Sequence, residues 1–209
     1  AILSFINTLG VTTSTTNIQV VRFESAIRKY LEDTTPRLMF ILDPIEVIVD
    51  NLSEEYEELV KIPFRPGSPE FGERTVPFTN KFYIERSDFS ESCGDKEFFR
   101  LTPDQPVGLI KVPFTVSFKS LEKDSNGKVT RLHVQYENNP EEGKARKPKT
   151  YIQWVPLSSK YKSPIKVAET RVYNQLFTSE NPSSHPEGYL KDINPESELV
   201  YTTSLMENN

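Results

Sequence analysis

The sequence is poor in cysteine and glycine, and it contains no long apolar run. Cys93 is the only cysteine among 209 residues, so an internal disulfide is excluded and a reducing compartment is expected. No apolar run approaches the roughly 20 residues that a membrane-spanning helix needs, and no signal-peptide pattern opens the chain. The eight glycines form neither a GxGxxG nor a GxxxxGK phosphate-binding loop. These absences predict a cytoplasmic protein whose own residues carry out no nucleotide chemistry.

The chain also lacks the positive net charge that is usual for nucleic-acid-binding domains, because its formal charge is −5. The charge is unevenly distributed, however. Residues 32–60 hold nine carboxylates and one cation, Arg37, whereas residues 141–171 hold eight cations and three carboxylates. Such an uneven field can steer a polyanion to one face. A plain mosaic of solvated charges is the other explanation, and charge alone favours it.

What the sequence does contain is a helical start followed by many short strands. Apolar residues recur at helical spacing over residues 2–9 and again over residues 20–31. Further along, the apolar period becomes two, and Asn126-Gly127 between two alternating segments predicts a tight hairpin over Phe114–Tyr136. Helices first and short antiparallel strands after them predict a small helical unit followed by barrels or sandwiches.

No group of side chains in the sequence indicates a catalytic or metal site. His133 and His185 lie far apart without an adjacent cysteine, so no zinc site is predicted. His133 falls on the polar side of a strand and is interpreted as a surface residue. Glu85, Arg86 and Asp88 are expected to form structural ion pairs rather than an acid–base pair.

Aromatic residues and arginines are interleaved in the stretch 65–100. The aromatic residues are Phe71, Phe78, Phe82, Tyr83, Phe89, Phe98 and Phe99, and the arginines are Arg65, Arg74, Arg86 and Arg100. Single-stranded RNA is bound by stacking unpaired bases on aromatic or guanidinium planes and by hydrogen bonds to the base edges. The residues alone favour an ordinary β core with a cationic rim over such an RNA site.

Several longer segments resemble one protein family. They are LDPIEVIVDNL (42–52), PGSPEFGER (66–74), VPFTNKFYIERSDF (76–89) and FFRLTPDQPVGLIK (98–111). Their order and spacing resemble the anticodon-binding β-barrels of eukaryotic, fungal cytosolic-type glutaminyl-tRNA synthetases. The catalytic signatures of that family, a HIGH-like tetrapeptide and a KMSKS-like loop, are absent from this sequence. The resemblance therefore implies the C-terminal, tRNA-binding part of a class I ligase. ATP and magnesium would belong to the full-length parent, and this fragment would bind no cofactor and be inactive alone.

The resemblance implies a mainly β fold with an N-terminal α-helical subdomain and two antiparallel β-barrels. The helical subdomain would span residues 1–36. The proximal barrel would begin with residues 37–57, the distal barrel would fill residues 58–158, and residues 159–209 would return to the proximal barrel. The last strands of the family would then be missing, which would leave the proximal barrel incomplete.

The resemblance also assigns roles to individual residues. Arg37 would hold the central uridine of the glutamine anticodon, and Arg100 would recognise its third base, a guanine. A bidentate contact of this kind discriminates between bases by roughly 1–3 kcal/mol. Bacterial relatives have a lysine where this chain has Phe99 and an arginine where it has Gly108. Phe99 and Lys111 are therefore the candidates to compensate.

Contacts to the RNA backbone are expected from a lysine-rich loop. The candidates are Lys144, Arg146, Lys147 and Lys149. For Arg100, the structural alternative to base recognition is an ion pair with a nearby acid, such as Asp95 or Glu97.

The implied partners are a glutamine tRNA and the catalytic domain of the same polypeptide, without DNA or a membrane, in a monomeric protein. Two other classes of function stay open at this point. One is a standalone β-barrel that binds structured RNA, as ribosomal proteins bind 5S RNA. The other is a protein-interaction module without an RNA partner.

Overall fold

A computed structural model describes residues 1–11, 13, 18–92, 97–137 and 148–208. The chain divides into two compact units. The first unit consists of Ala1–Arg37, Phe64–Gly72 and Val172–Leu199, and the second consists of Leu38–Pro63, Glu73–Arg171 and Val200–Asn209. Among the described residues, no helix is both long enough and apolar enough to cross a membrane.

The first unit contains the two α-helices that the sequence pattern predicts, α1 (Ile2–Leu9) and α2 (Val20–Thr34). Helix α1 ends at Gly10, whose φ of 77° is the left-handed conformation that glycine adopts without strain. Phe5 of α1 packs against Phe23 of α2, with 5.1 Å between the ring centroids. No residue of either helix is buried. The apolar side chains of this helix pair therefore remain largely exposed.

The remaining elements are mostly short strands. In the described part of the chain these are β1 (Phe40–Ile41), β2 (Pro44–Val49), β3 (Glu57–Pro63), β4 (Glu73–Thr79), β5 (Lys81–Glu85), β6 (Val107–Leu109), β7 (Thr115–Lys123), β8 (Val129–Glu137), β9 (Tyr151–Ile152), β10 (Val155–Pro156), β11 (Ile165–Val167), β12 (Thr170–Tyr173), β13 (Glu198–Tyr201) and β14 (Ser204–Met206). They form a seven-stranded sheet in the order β10-β5-β2-β8-β7-β6-β9, a three-stranded sheet β1-β14-β11, and the pairs β3-β4 and β12-β13. The expectation of a mainly β fold is confirmed.

The seven-stranded sheet curls because its two edge strands are neighbours in the sequence. β9 ends at Ile152 and β10 begins at Val155, and three residues of extended chain span at most about 11 Å. A flat sheet of seven strands, spaced about 4.8 Å apart, would separate its edges by about 29 Å. The sheet is therefore rolled into a half-barrel. Trp154, between the two edge strands, is fully buried, and its indole N–H donates to the carbonyl of Ile110 at 3.0 Å.

Two pairings in this sheet are parallel, which corrects the expectation of purely antiparallel barrels. β2 pairs with β8 in parallel, and β6 pairs with β9 in parallel. The other pairings of the sheet are antiparallel. The prediction was wrong here because alternating apolar residues indicate a strand and its buried face but not its direction. Parallel strands need a long connection, and the chain between β2 and β8 provides one.

Strands β7 and β8 form the hairpin that Asn126-Gly127 predicts. The side chain of Asp124 accepts hydrogen bonds from the backbone N–H groups of Asn126 at 2.8 Å and Lys128 at 2.9 Å. Gly127 has a φ of 79°, the conformation for which glycine is favoured in such turns. The prediction of an antiparallel hairpin in this part of the chain is therefore confirmed.

Aromatic side chains occupy the centre of the second unit. The ring of Phe78 contacts those of Phe82, Phe114 and Trp154 at centroid distances of 5.5, 5.2 and 5.2 Å. Phe78 and Phe82 are fully buried, whereas Phe99 is 50% exposed. The aromatic-rich stretch of the sequence therefore contributes both to the core and to the surface, and Phe99 belongs to the surface.

A buried ion pair joins β4 to the residue that follows β14. Nε of Arg74 donates to Oε1 of Glu207 at 2.8 Å, and the same oxygen accepts the backbone N–H of Met39 at 2.7 Å. Arg74 is 5% exposed and Glu207 is 1% exposed. These two hydrogen bonds connect β4, Met39 and the residue that follows β14. Removing either charge would leave the other buried and unpaired, which destabilises the fold strongly.

Candidate nucleic-acid interface

The segment that carries Phe99 and Arg100 is held rigidly by its backbone. Leu101 is buried, its N–H donates to the carbonyl of Asp88 at 3.0 Å, and its carbonyl accepts the N–H of Ser90 at 3.0 Å. The side-chain amide of Gln105 donates to the carbonyls of Phe98 at 3.1 Å and Arg100 at 2.8 Å. These bonds fix the backbone on both sides of Phe99. Sequence reasoning missed Gln105, although the Thr102–Gln105 turn was a possible signal.

Arg100 is anchored at one end of its guanidinium group. Its Nη1 lies 2.7 Å from Oδ1 of Asp88 and donates more weakly to the carbonyl and hydroxyl of Ser87, at 3.3 and 3.4 Å. Within the part of the chain that the structure describes, these Nη1 contacts are the ones that Arg100 makes. Its side chain is 48% exposed. The guanidinium group is thus oriented by the protein, and its remaining N–H groups are available to a ligand.

Arg100 pairs with a nearby acid, as the structural alternative predicts, but the acid is Asp88 and not one of the two examples named above. Asp95 lies outside the described residues, and Glu97 is not the partner of this contact. The side chain of Asp88 is 10% exposed. Burial raises the pKa of Asp88 to about 6, with a smaller contribution from Glu85, although Arg100 opposes this shift. At neutral pH, Asp88 is therefore ionised and attracts the guanidinium group.

A cation lies over the exposed ring of Phe99. Nζ of Lys149 is 5.6 Å from the centroid of the Phe99 ring, within the range of a cation–π contact. The structure thus brings Phe99 and Lys149, both predicted site residues, into contact, and Arg100 is the next residue along the chain from Phe99. Lys144, Arg146 and Lys147 lie outside the described residues.

Gly108 is in close contact with the segment that follows Lys149. Its N–H donates to the carbonyl of Thr150 at 3.0 Å, in the parallel ladder between β6 and β9. A Cβ atom added to Gly108 would lie 2.5 and 2.6 Å from two ring carbons of Tyr151 and 2.8 Å from Cγ of Pro148. No side chain fits at this position without displacing that ring. The arginine that the family resemblance implies for bacterial sequences at this position could not be accommodated here in the present arrangement.

Lys111 and Arg37 are the remaining predicted site residues in the described part of the chain. Lys111 follows β6, is exposed, and has a φ of 63°, an unusual conformation for a residue other than glycine. Arg37 belongs to the first unit, where its N–H donates to the carbonyl of Phe64 at 2.8 Å. Nη2 of Arg37 lies 3.6 Å from a carboxylate oxygen of Glu32, and both side chains are about half exposed. This weak surface pair leaves Arg37 free to take a stronger anionic or polar ligand.

The acidic stretch of residues 32–60 is largely compensated by neighbouring cations. Seven of its nine carboxylates lie in ion pairs, and they are Glu32, Asp33, Asp43, Glu46, Asp50, Glu54 and Glu57. The charge imbalance that the sequence shows is therefore smaller at the surface. This finding supports the explanation of a charge mosaic for that stretch.

The acids and bases that sequence reasoning considered for catalysis have structural partners. Nε of Arg86 donates to Asp43 at 2.8 Å, and Glu85 accepts the backbone N–H groups of Leu42 and Asp43 at 2.7 and 3.0 Å. The predicted structural role of these residues is confirmed.

His133 lies on the outer side of β8 between two carboxylates. Its Nδ1 is 2.8 Å from Asp50 and its Nε2 is 3.0 Å from Glu122. Hydrogen bonds to these carboxylates raise the pKa of His133 above its ordinary value. His133 is partly exposed, which agrees with its interpretation as a surface residue.

Comparison with known proteins identifies one family over most of the chain. Two family models with the same description, "tRNA synthetases class I (E and Q), anti-codon binding domain", match residues 35–137 and 151–209. Glutamine–tRNA ligase of Saccharomyces cerevisiae is 81% identical over 210 residues, which cover 100% of this chain and 26% of the relative.

More distant relatives have the same name. A probable glutamine–tRNA ligase of Schizosaccharomyces pombe is 43% identical over 99% of this chain and 25% of its own length. Glutamine–tRNA ligase of Serratia proteamaculans is 36% identical over 96% of this chain and 35% of its own length. The chain thus spans about a quarter to a third of these relatives. Since both family models and all three relatives agree, the chain belongs to the anticodon-binding domains of class I tRNA synthetases of the E and Q type.

Proposed function

We propose that this chain is the anticodon-binding part of a glutamine–tRNA ligase and that it binds the anticodon loop of a glutamine tRNA. The observation that carries the proposal is the 81% identity to a glutamine–tRNA ligase over the whole chain. The two alternatives, a standalone barrel of the ribosomal type and a protein-interaction module, are not favoured, because both matching family models describe an anticodon-binding domain.

The geometry of Arg100 suits recognition of a guanine. Asp88 and Ser87 hold Nη1, so that the remaining donors of a planar group can meet the O6 and N7 acceptors of the base. Because the side chain of Arg100 is already ordered, less conformational entropy is lost when RNA binds. Arg100 is therefore proposed to recognise the third anticodon base, and Asp88 and Gln105 to position it.

Arg37 is proposed to hold the central uridine, and Lys111 and the Phe99–Lys149 pair to lie beside the bound loop. Lys144, Arg146 and Lys147 are proposed to contact RNA phosphates, which would strengthen binding to any tRNA. The ligation itself, with ATP and magnesium, would take place in the catalytic domain of the full-length protein. The assignment of 1–36 to a helical subdomain and of the other three ranges to two barrels stays a prediction, as do a monomeric state and a cytoplasmic location.

The test compares glutamine tRNAs that have guanine or adenine at the third anticodon position. In the full-length protein, Arg100→Ala should weaken binding of the cognate tRNA by about 1–3 kcal/mol and remove the preference for guanine. Lys149→Ala is the matched control, because it removes a nearby cation that should act on the RNA backbone. It should weaken both tRNAs alike and reduce the salt dependence by about one charge. An equal loss for both tRNAs in Arg100→Ala would contradict base recognition by this residue.

A further inference from the structure

Tyr151 combines exposure with a fixed position. It is 58% exposed although it belongs to a strand, β9, whose next residue, Ile152, is 4% exposed. Two of its ring carbons lie so close to the backbone of Gly108 that a Cβ atom there would collide with them. An aromatic ring of this kind presents an apolar surface to solvent while its backbone is held in the sheet by the ladder to β6.

Tyr151 is connected through short stretches of backbone to the residues that are proposed to bind the anticodon. Gln105 bonds to the carbonyl of Arg100 at 2.8 Å, and Gly108 follows Gln105 by three residues, or at most about 11 Å of extended chain. Lys149, two residues before Tyr151, has its ammonium group over Phe99. Two short segments, 99–108 and 149–151, thus carry all four side chains. These are the exposed rings of Phe99 and Tyr151, and the cations Arg100 and Lys149.

We infer that Tyr151 is a stacking platform for another unstacked base of the anticodon loop, distinct from the base that Arg100 recognises. This inference rests on the proposed function and adds a residue to it. Single-stranded bases are held by stacking on aromatic side chains as well as by hydrogen bonds to their edges. If Arg37 and Arg100 take the second and third bases, the first base is the one that Tyr151 stacks against.

Tyr151 suits this role better than Phe99 does. The ammonium group of Lys149 already lies over the ring of Phe99, so a base would have to displace it or use the other side. The ring of Tyr151 instead contacts Gly108 on one side, and a large part of the residue is exposed to solvent. Gly108 is then a functional part of the site, since its missing side chain provides the space in which the ring lies.

Stacking depends little on the identity of the base, because every base has an apolar face. Tyr151→Ala in the full-length protein should therefore weaken binding of a glutamine anticodon stem-loop about tenfold, within the range of roughly 5- to 150-fold that one stacked base contributes. Tyr151→Phe keeps the ring and should stay within about twofold of the wild type. Tyr189→Ala, which removes a tyrosine with a similar exposure of 56% in the first unit, is the matched control and should have no comparable effect.

Abasic RNAs identify the base that is stacked. Stem-loops with an abasic nucleotide at the first, second or third anticodon position should be titrated against the wild type and Tyr151→Ala. The loss caused by Tyr151→Ala should disappear when the first base is absent and persist when the third base is absent. A loss of the same size with all three abasic RNAs would indicate a structural role and would overturn the inference.

Gly108→Ala provides an independent check through coupling. The added methyl group should displace the ring of Tyr151 and weaken binding about as much as Tyr151→Ala does. The double variant should then be no weaker than Tyr151→Ala alone, because the two changes remove the same contact. Additive losses would refute the role of Gly108 as the space for the ring.

The inference and the proposed function can fail separately. If Tyr151→Ala binds like the wild type while Arg100→Ala still loses its preference for guanine, the stacking role is wrong and anticodon recognition stands. If the wild-type protein does not bind the stem-loop at all, both are wrong.

Discussion

Replacing Asp88 with asparagine should stabilise the protein at neutral pH, while it weakens the interaction that positions the guanidinium group of Arg100. Asp88 is buried, and its pKa is raised from 3.8 to about 6. An asparagine resembles the protonated form of the acid in shape and can still accept a hydrogen bond from the guanidinium group. The substitution thus removes a buried negative charge while it preserves most of the packing around the side chain.

The size and direction of the effect follow from the pKa shift. Between about pH 4 and 6, the folded protein holds a proton on Asp88 that the unfolded chain has released, so stability falls as the pH rises through this range. The span from 3.8 to about 6 corresponds to about 3 kcal/mol, at about 1.4 kcal/mol for each tenfold change. Near pH 4 the two proteins should therefore be similarly stable, and above pH 6 the variant should be more stable by up to about 3 kcal/mol.

The assay is urea denaturation of both proteins at several pH values from 4 to 7.5, because urea adds no salt that would screen the ion pair. The quantity to compare is the difference between their free energies of unfolding at each pH, which cancels the titration of other groups. A difference that does not change with pH would refute the assigned pKa. In tRNA binding the same variant should lose affinity, since Arg100 is no longer held by a charge, and this would illustrate a trade-off between stability and function.

Three further substitutions probe stability. Arg74→Met should lower the free energy of unfolding by about 3–5 kcal/mol in urea melts, because it leaves the carboxylate of Glu207 buried and unpaired; a loss below about 1 kcal/mol would contradict this. His133→Gln should flatten the pH dependence, because the raised pKa of the histidine means that its contribution is present below about pH 6.5 and is lost as the pH rises through the folded pKa; identical slopes in both proteins would contradict this. Lys111→Gly should raise the free energy of unfolding by about 0.5–1 kcal/mol, because the relieved backbone strain exceeds the entropy that glycine adds to the unfolded chain; clear destabilisation in urea melts would show that the lysine side chain contributes to the fold.

The sequence was sufficient for the elements whose signals are local. Helical periodicity identified α1 and α2, and Asn126-Gly127 identified the hairpin of β7 and β8. Strand β3 was not predicted, because the acidic residues 54–58 obscure the alternation in which Val60 and Ile62 face the core. The direction of strand pairing was also beyond reach, since it depends on contacts between distant segments.

The candidate site depended even more on long-range contacts. Family resemblance suggested Arg100 and Phe99, and the lysine-rich loop suggested Lys149, whose ammonium group lies over the ring of Phe99. Asp88 was expected to form an ion pair, but nothing in the sequence indicates that its partner is Arg100, twelve residues later. Tyr151 is likewise an ordinary strand residue until its ring is seen against Gly108.

The ion pair of Arg74 and Glu207 has a consequence for the order of folding. Met39 and Glu207, which are bonded to each other, are 168 residues apart in the sequence. Closing so long a loop costs on the order of 4–5 kcal/mol of chain entropy, apart from a constant that does not depend on length. Strand β1 and the buried arginine therefore acquire their final partners only after β14 has been synthesised. During translation, β1 should therefore lack a strand partner until β14 has left the ribosome, whereas β2 can pair with β5 and β8 before then. An unpaired β1 exposed during this period would favour aggregation.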